Sequence, residues 1–288
     1  MLNRSRLLLS SEIPFKHGGL RTSGFDRNWV VGIPKVSILI ASLNNSTHLE
    51  ETLLSILSQN YENIEIIIVD GDSIDGTDLL LKKYNEKIDY WLMQRDSGIS
   101  DAFNKGALLS SGDFLNFQGC GDLLVEPNVI TKAMEGINKD SDMLVSCRVR
   151  RVDVYQPTNV LWESDNFKTS YFDKKTLLFK MTIPHQGLFT NWMYFEKYGL
   201  FDLSLKYSMD YENLLRSYEN FPTIVVKNLI LSSWRSGGVG TGKIYEILKE
   251  YNFIRIKNNV ANIFLLYLIY FYSIFKFILK KILNIDRL

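Results

Sequence analysis

Aspartates stand at four places where a carboxylate could do chemistry. Asp70, Asp72 and Asp75 lie in IEIIIVDGDSIDGT, Asp96 and Asp101 in RDSGISDAFNKG, Asp122 in FLNFQGCGD, and Asp210 in SMDYENLLR. In a cleft, such groups accept hydrogen bonds from a ligand, bind a hard divalent cation, or take a proton from an attacking hydroxyl. Plainer explanations compete. Asp75-Gly76-Thr77 reads as a turn that caps a helix, and Gly121-Asp122 as an ordinary turn after a strand. Asp70 is harder to dismiss, because it directly follows the apolar run ending at Val69.

The elements that must hold these groups follow from hydrophobic pattern. VSILIASLNN, from Val36, and IEIIIVDGD, from Ile64, are rich in β-branched residues and stop abruptly at polar ones. Continuous apolar strands are buried on both faces, as in a parallel sheet flanked by helices. Between them Leu49, Leu53, Leu54, Ile56 and Leu57 recur at helical spacing, with Thr47 as a candidate N-cap. Strand, helix, strand predicts a right-handed crossover. GTDLLLKKYNE and IDYWLMQ repeat the pattern, as do GISDAFNKGALLSS and GDFLNFQG. The expected fold class is therefore α/β, with a Rossmann-like, mostly parallel sheet. Ligands of such sheets bind beyond the carboxyl ends of the strands, where Asp70 stands.

Composition narrows the function classes. The 288 residues are 46% hydrophobic and 23% charged, with a net charge of +1. A core is affordable, and the balanced charge argues against nucleic acid as a partner. Cys120 and Cys147 are too few for a disulfide scaffold and suit a reducing compartment. Arg4 and Arg6 precede only a three-residue apolar run, so no secretory signal is expected and a cytoplasmic location is. The expected organisation is an N-terminal arm or strap (1–35), a first half (36–125), a second half (126–245) and a helical tail (246–288).

Taken together, VSILIASLNN, IEIIIVDGDSIDGT, RDSGISDAFNKGALLSSGDFLNFQGCGD and SMDYENLLR resemble the family 2 glycosyltransferases of GT-A fold, most closely bacterial enzymes of surface-polysaccharide synthesis. The resemblance implies an inverting transfer of a sugar from a nucleotide diphosphate donor, a UDP-sugar, to a glycan or lipid-linked acceptor, with 36–125 as the nucleotide-sugar-binding half and 126–245 as the acceptor-binding and catalytic half. It implies that Ser42, Asn44, Asp70 and Asp72 line the nucleotide pocket, with Ala41-Ser42 standing where the family has Pro-Thr. It places Asp96 near the ribose, lets Asp101 and Asn104 shape the pocket, and brings Lys105 or Arg95 close to the phosphates. It makes Asp122 the ligand of Mn²⁺ or Mg²⁺, while Gly121 stands where the family has a first aspartate.

The resemblance also implies that Asp210 is the general base. Glu212 would point about 200° away around a helix, and the plainer reading of Asp210 is an N-cap. His185 and Gln186 are implied to contact the acceptor. Arg216 is left between anchoring its helix and approaching the diphosphate. WRSGGVGTG reads as a loop that closes the site through Gly237, Gly238, Gly240 and Gly242, with Trp234 and Arg235 at its head read as residues that stack on or clamp the donor.

The tail changes composition. Residues 263–275 are apolar apart from Ser273, and Lys276, Lys280 and Lys281 follow. That pattern predicts an amphipathic helix on the cytoplasmic face of the inner membrane; a packed core helix and a lysine-snorkelled span are the alternatives. A homo-oligomer is left open. Two other functions are weighed. A nucleotidyltransferase would need a Gly-rich basic phosphate loop after the first strand, which ASLNNSTHLE lacks. A catalytically inactive scaffold of the same fold is kept open by Gly121.

Overall fold

The computed structural model describes residues 14–25, 27–164, 172–238 and 240–283. The first half runs β1 (Lys16–Gly18), β2 (Val36–Ser42), α1 (Ser46–Leu57), β3 (Ile64–Asp70), α2 (Thr77–Lys83), β4 (Tyr90–Met93), α3 (Ile99–Leu109) and β5 (Phe114–Gly119). Strands β4, β3, β2 and β5 are adjacent and parallel, as the apolar runs predict. Alternation splits their side chains between two cores. Val36, Ile38, Ile40, Ile64, Ile66 and Ile68 pack on one side of the sheet, and Leu39, Ile67 and Val69 on the other. Burying each such side chain contributes about 1.5–3 kcal/mol.

The second half adds β6 (Leu123–Leu124), α4 (Val129–Met134), β7 (Leu144–Val152), β8 (Val160–Glu163), β9 (Leu188–Asn191), α5 (Trp192–Tyr198), α6 (Met209–Arg216), β10 (Ile224–Arg235), α7 (Ile244–Lys257) and α8 (Ile263–Ile282). The sheet order is β1-β4-β3-β2-β5-β9-β7-β10-β6, with β8 on β7. Here the pairing is mixed: β9 runs antiparallel to both β5 and β7, while β7 and β10 are parallel. The fold is thus α/β with a parallel central sheet and a mixed extension that sequence periodicity does not reveal.

Residues 14–25 and 27–35 form a strap; residues 1–13 of the expected arm lie outside the described residues, as does Asp26. Strand β1 closes the free edge of β4 antiparallel, and Arg21 pairs with Glu65, which is fully buried at the far end of β3 from the aspartates. Arg27 pairs with Asp89 in the same way.

Helix α7 belongs to the body of the protein. Its Ile254 joins Tyr211, Leu214 and Leu215 in a third core cluster, and fully buried Arg255 donates from Nε to Tyr211 Oη at 3.0 Å. Helix α8 differs, because only Leu266 and Ile269 are buried. The packed-core alternative for the tail is excluded for this helix by its exposure. Residues 284–288 of the expected tail lie outside the described residues.

Candidate active site

The strand ends are level, and this positions the first wall of the site. Ser42 sits opposite Asp70, Asp70 opposite Met93, and Ala41 opposite Gly119. Asp70 is fully buried, and its two oxygens accept from Ser73 N and Ser73 Oγ, each at 2.7 Å. Burial pushes its carboxyl up, against those hydrogen bonds. Ser73 also holds Asn44, whose N donates to Ser73 Oγ at 2.7 Å while Asn44 Oδ1 accepts from Ile74 N at 3.0 Å. The loops after β2 and β3 are thereby stapled together. Asp75 caps both neighbouring helices, accepting from Ser46 N at 2.8 Å and Thr77 Oγ1 at 2.6 Å. Helix α1 starts at Ser46, so Thr47 is inside it and not its cap. Asp72 is exposed in a left-handed conformation with φ 71°.

Asp96 and Asp101 form the second wall. Asp96 Oδ1 accepts from Gly98 N at 3.0 Å, and its Oδ2 stands 2.9 Å from where a side chain on Gly71 would begin. A side chain at 71 would push the Asp96 carboxylate aside, and Asp96 lies close enough to Asp70 to feel its charge. Burial raises its carboxyl; nearby Asp101 and Asp70 add to this, while Lys105 opposes it. Asp101 accepts from Ser97 N at 3.0 Å and ion-pairs with Lys105 at 3.4 Å. Lys105 is largely buried and donates to Arg95 O at 3.1 Å. Asn104 faces elsewhere: its amide donates to Phe201 O at 2.8 Å and accepts from Phe201 N at 2.9 Å, tying α3 to the second half.

Between these walls and residues 203–206 lies a cleft of about 540 Å³, lined by residues 41–43 and 96–102 as well. The Ser42 hydroxyl is buried beside Asp70 and Cys120. Sequence reasoning did not include Leu43 or residues 203–206, which carry no motif. They are placed by α7: Glu250 accepts from Lys206 N at 2.8 Å and Tyr207 N at 3.0 Å, and Lys257 donates to Asp202 Oδ2 at 2.6 Å.

Beyond β5, Asp122 is buried and accepts from Gly119 N at 2.7 Å. Burial pushes its carboxyl up to about 6, even though Gly119, His185 and Gln186 favour its charged form. Gly121 has φ 93°, and a side chain there would begin 3.3 Å from Arg235 Cδ. The missing acid is thus replaced by backbone shape and an overlying arginine, which pairs with Glu51. Among the described residues no three His, Cys, Asp or Glu converge as a metal site.

His185 opens a short turn, residues 185–187, and its Nδ1 is 3.2 Å from Asp210 Oδ2. Burial lowers its imidazole, but Asp210 and then Asp122 outweigh burial and raise it overall. Asp210 lies in the first turn of α6 behind Ser208, so it is not the N-cap; its Oδ1 accepts from Tyr211 N at 2.8 Å. Glu212 does point away: it is fully buried, against Arg216 and Lys257. Arg216 is fully engaged at that place, donating to Glu212 at 2.7 Å, Tyr198 O at 3.0 Å and Leu200 O at 2.6 Å. It anchors α6 and does not face the cleft. The main-chain oxygen of Gln186 accepts from Gln118 Nε2 at 2.9 Å. Trp234 lies under Arg151, 5.7 Å from its guanidinium. The glycine loop follows β10, with Gly237 and Gly242 at positive φ; Val239 is outside the described residues.

The chain belongs to glycosyl transferase family 2, whose family model matches residues 37–198. An uncharacterised glycosyltransferase of Rickettsia typhi is 31% identical over 62% of this chain and 57% of its own length. A PGL/p-HBAD biosynthesis glycosyltransferase of Mycobacterium bovis is 29% identical over 71% of this chain and 78% of its own length. The chain therefore spans less than two-thirds of the Rickettsia relatives it matches. Among solved structures, S. aureus TarS 1–349 in complex with UDP-GlcNAc aligns with TM-score 0.61 at 16% identity, over 76% of this chain and 66% of that one. A Pyrobaculum calidifontis mannosyltransferase in complex with GDP-Man and Mn²⁺ aligns with TM-score 0.59 at 17% identity, over 81% of this chain and 66% of that one. These likenesses support the GT-A fold.

Proposed function

We propose that the protein is an inverting glycosyltransferase that moves a sugar from a UDP-sugar to a lipid-linked or polysaccharide acceptor in bacterial surface glycan synthesis. The observation that carries this is Asp210, a carboxylate held by His185, whose imidazole also feels Asp122, and next in the chain to Met209, which Ser100 of the 540 Å³ cleft touches at 2.9 Å. In the reaction Asp210 takes the proton of the acceptor hydroxyl as its oxygen attacks the sugar C1. The bond from C1 to the diphosphate breaks on the opposite face, and the nucleoside diphosphate leaves with the electron pair. Asp70 and the Ser42 hydroxyl next to it read the nucleoside, with Asp96 beside them.

Asp122 fits Mn²⁺ or Mg²⁺ as a single protein carboxylate, one of its oxygens held in place by Gly119 N. Such a cation takes its remaining ligands from diphosphate and water, and when bound it offsets charge on the leaving group.

Helix α8 supports a place at the inner-membrane surface. Phe264, Leu268, Phe271, Phe275, Leu279 and Ile282 recur at helical spacing and are all exposed, while Leu266 and Ile269 turn inward. By length and composition α8 could also cross a membrane. The wide outward apolar face with lysines at one end favours lying in the interface.

UDP release from a panel of UDP-sugars, with Mn²⁺ or Mg²⁺, tests the reading. Turnover by the wild type that Asp210→Asn abolishes is expected. Gly121 favours a second reading, a nucleotide-sugar-binding scaffold without turnover; binding with no release from any donor would establish it.

A further inference from the structure

The carboxyl ends of β7 and β10 carry three arginines on consecutive rungs. Arg150 stands opposite Ser233, Arg151 opposite Trp234, and Val152 opposite Arg235. Each arginine has its Nε buried without a partner among the described residues. Acids answer this charge only in part. Glu51 pairs with Arg235, and Glu163, the cross-strand neighbour of Arg150, is engaged by Arg148 at 3.0 Å. Buried N–H groups are usually paired in native proteins, so three unpaired in succession mark a strand end whose positive charge the protein itself answers only in part, leaving the terminal guanidinium nitrogens to take an anion.

Alternation along the strands places Arg150 and Arg235 on one face and Arg151 with Trp234 on the other. On the first face Arg235 overlies Gly121, next to Asp122. On the second, Gly187 of the His185 turn packs on Val149, two residues before Arg151. The strand end therefore straddles the region between the Asp122 turn and the His185 turn. None of the three arginines lines the 540 Å³ cleft.

We propose that this strand end binds a phosphate or diphosphate group carried by the acceptor, separate from the diphosphate of the donor. The inference rests on the glycosyltransferase reading above and names the chemistry of its acceptor. Guanidinium groups stay charged and present paired N–H donors that match phosphate oxygens, which suits a permanent anion better than a neutral sugar.

Calorimetry on the full chain tests it with three probes: UDP, farnesyl diphosphate for a lipid carrier, and glucose 1-phosphate for a phosphorylated glycan. Farnesyl diphosphate is expected to bind while UDP is saturating. The Arg150→Gln/Arg151→Gln double variant should weaken it about tenfold and leave UDP affinity within about twofold. Should that variant not fold, Arg150→Lys and Arg151→Lys keep the charge but lose the paired donors, and each should weaken binding by a smaller factor. A stronger response to farnesyl diphosphate than to glucose 1-phosphate identifies a lipid carrier; equal responses identify the phosphate alone. Unchanged affinity in all the variants, or displacement of farnesyl diphosphate by UDP, overturns the inference. Loss of UDP binding in the wild type with farnesyl diphosphate still bound would instead overturn the donor reading.

Discussion

His185 Nδ1 lies 3.2 Å from Asp210 Oδ2, and the same imidazole feels the charge of Asp122. The proposed base is therefore oriented by a neighbour from a different part of the chain. Replacing Asp210 by Asn should reduce transfer by about 10²–10⁴-fold, the usual contribution of a positioned base. UDP affinity, measured by calorimetry, should stay within about twofold. His185→Gln should cost less, about tenfold in kcat, because it removes orientation and not the base.

The same pair gives a pH signature. The imidazole is raised in the folded state, so its stabilising contribution is fully present below the ordinary histidine range and lost as pH rises through the folded value. Wild type should exceed His185→Gln in Tm at pH 5.5, and the gap should narrow towards pH 9. An equal gap at both ends would contradict the pairing.

Asp202 titrates in the opposite sense. Its hydrogen bonds to Lys257 and Ser204 hold its carboxyl well below the usual range. Its contribution is therefore present above that range and lost as pH falls through the folded value. Asp202→Asn should cost about 1–2 kcal/mol at pH 7, discounted for partial exposure, and converge with wild type in acid. Urea unfolding at several pH values checks this. Because Asp202 adjoins the cleft wall, UDP binding should weaken alongside.

Arg21 latches the strap over Glu65, which has no access to solvent. Arg21→Ala leaves a buried carboxylate with hydroxyl and backbone partners only, and should cost about 2–4 kcal/mol. The urea midpoint should fall in proportion. Arg21→Ala combined with Glu65→Gln should recover part of the loss, since the stranded charge is gone.

Ending the chain after Asn262 removes α8 and its exposed apolar face. The full chain should float with vesicles of anionic lipid and the shortened one should stay in solution, with flotation of the full chain weakened by salt. Unchanged flotation would remove α8 from the membrane contact.

Particular residues show how far local pattern reached. Asp70 was legible because an apolar run ends on it, and a strand so buried must deliver its next residue to the crevice. Asp210 was legible as a carboxylate at the head of an amphipathic helix, although Ser208 holds the cap position. Asn104 is expected to shape the pocket, and local pattern leaves Arg216 open between anchoring its helix and reaching the diphosphate. Their partners, Phe201 and the Tyr198–Leu200 carbonyls, are chosen by packing between distant segments.

By itself, the sequence determined the parallel strands, the helices between them and the acids at their ends, because hydrophobic period and strand termination act over a few residues. The tertiary structure alone decided which acids face the cleft, that β9 enters antiparallel, that α7 supports the cleft wall, and that Arg150, Arg151 and Arg235 gather at one strand end. Those outcomes depend on contacts between segments far apart in the chain, and on burial, which no local window of residues contains.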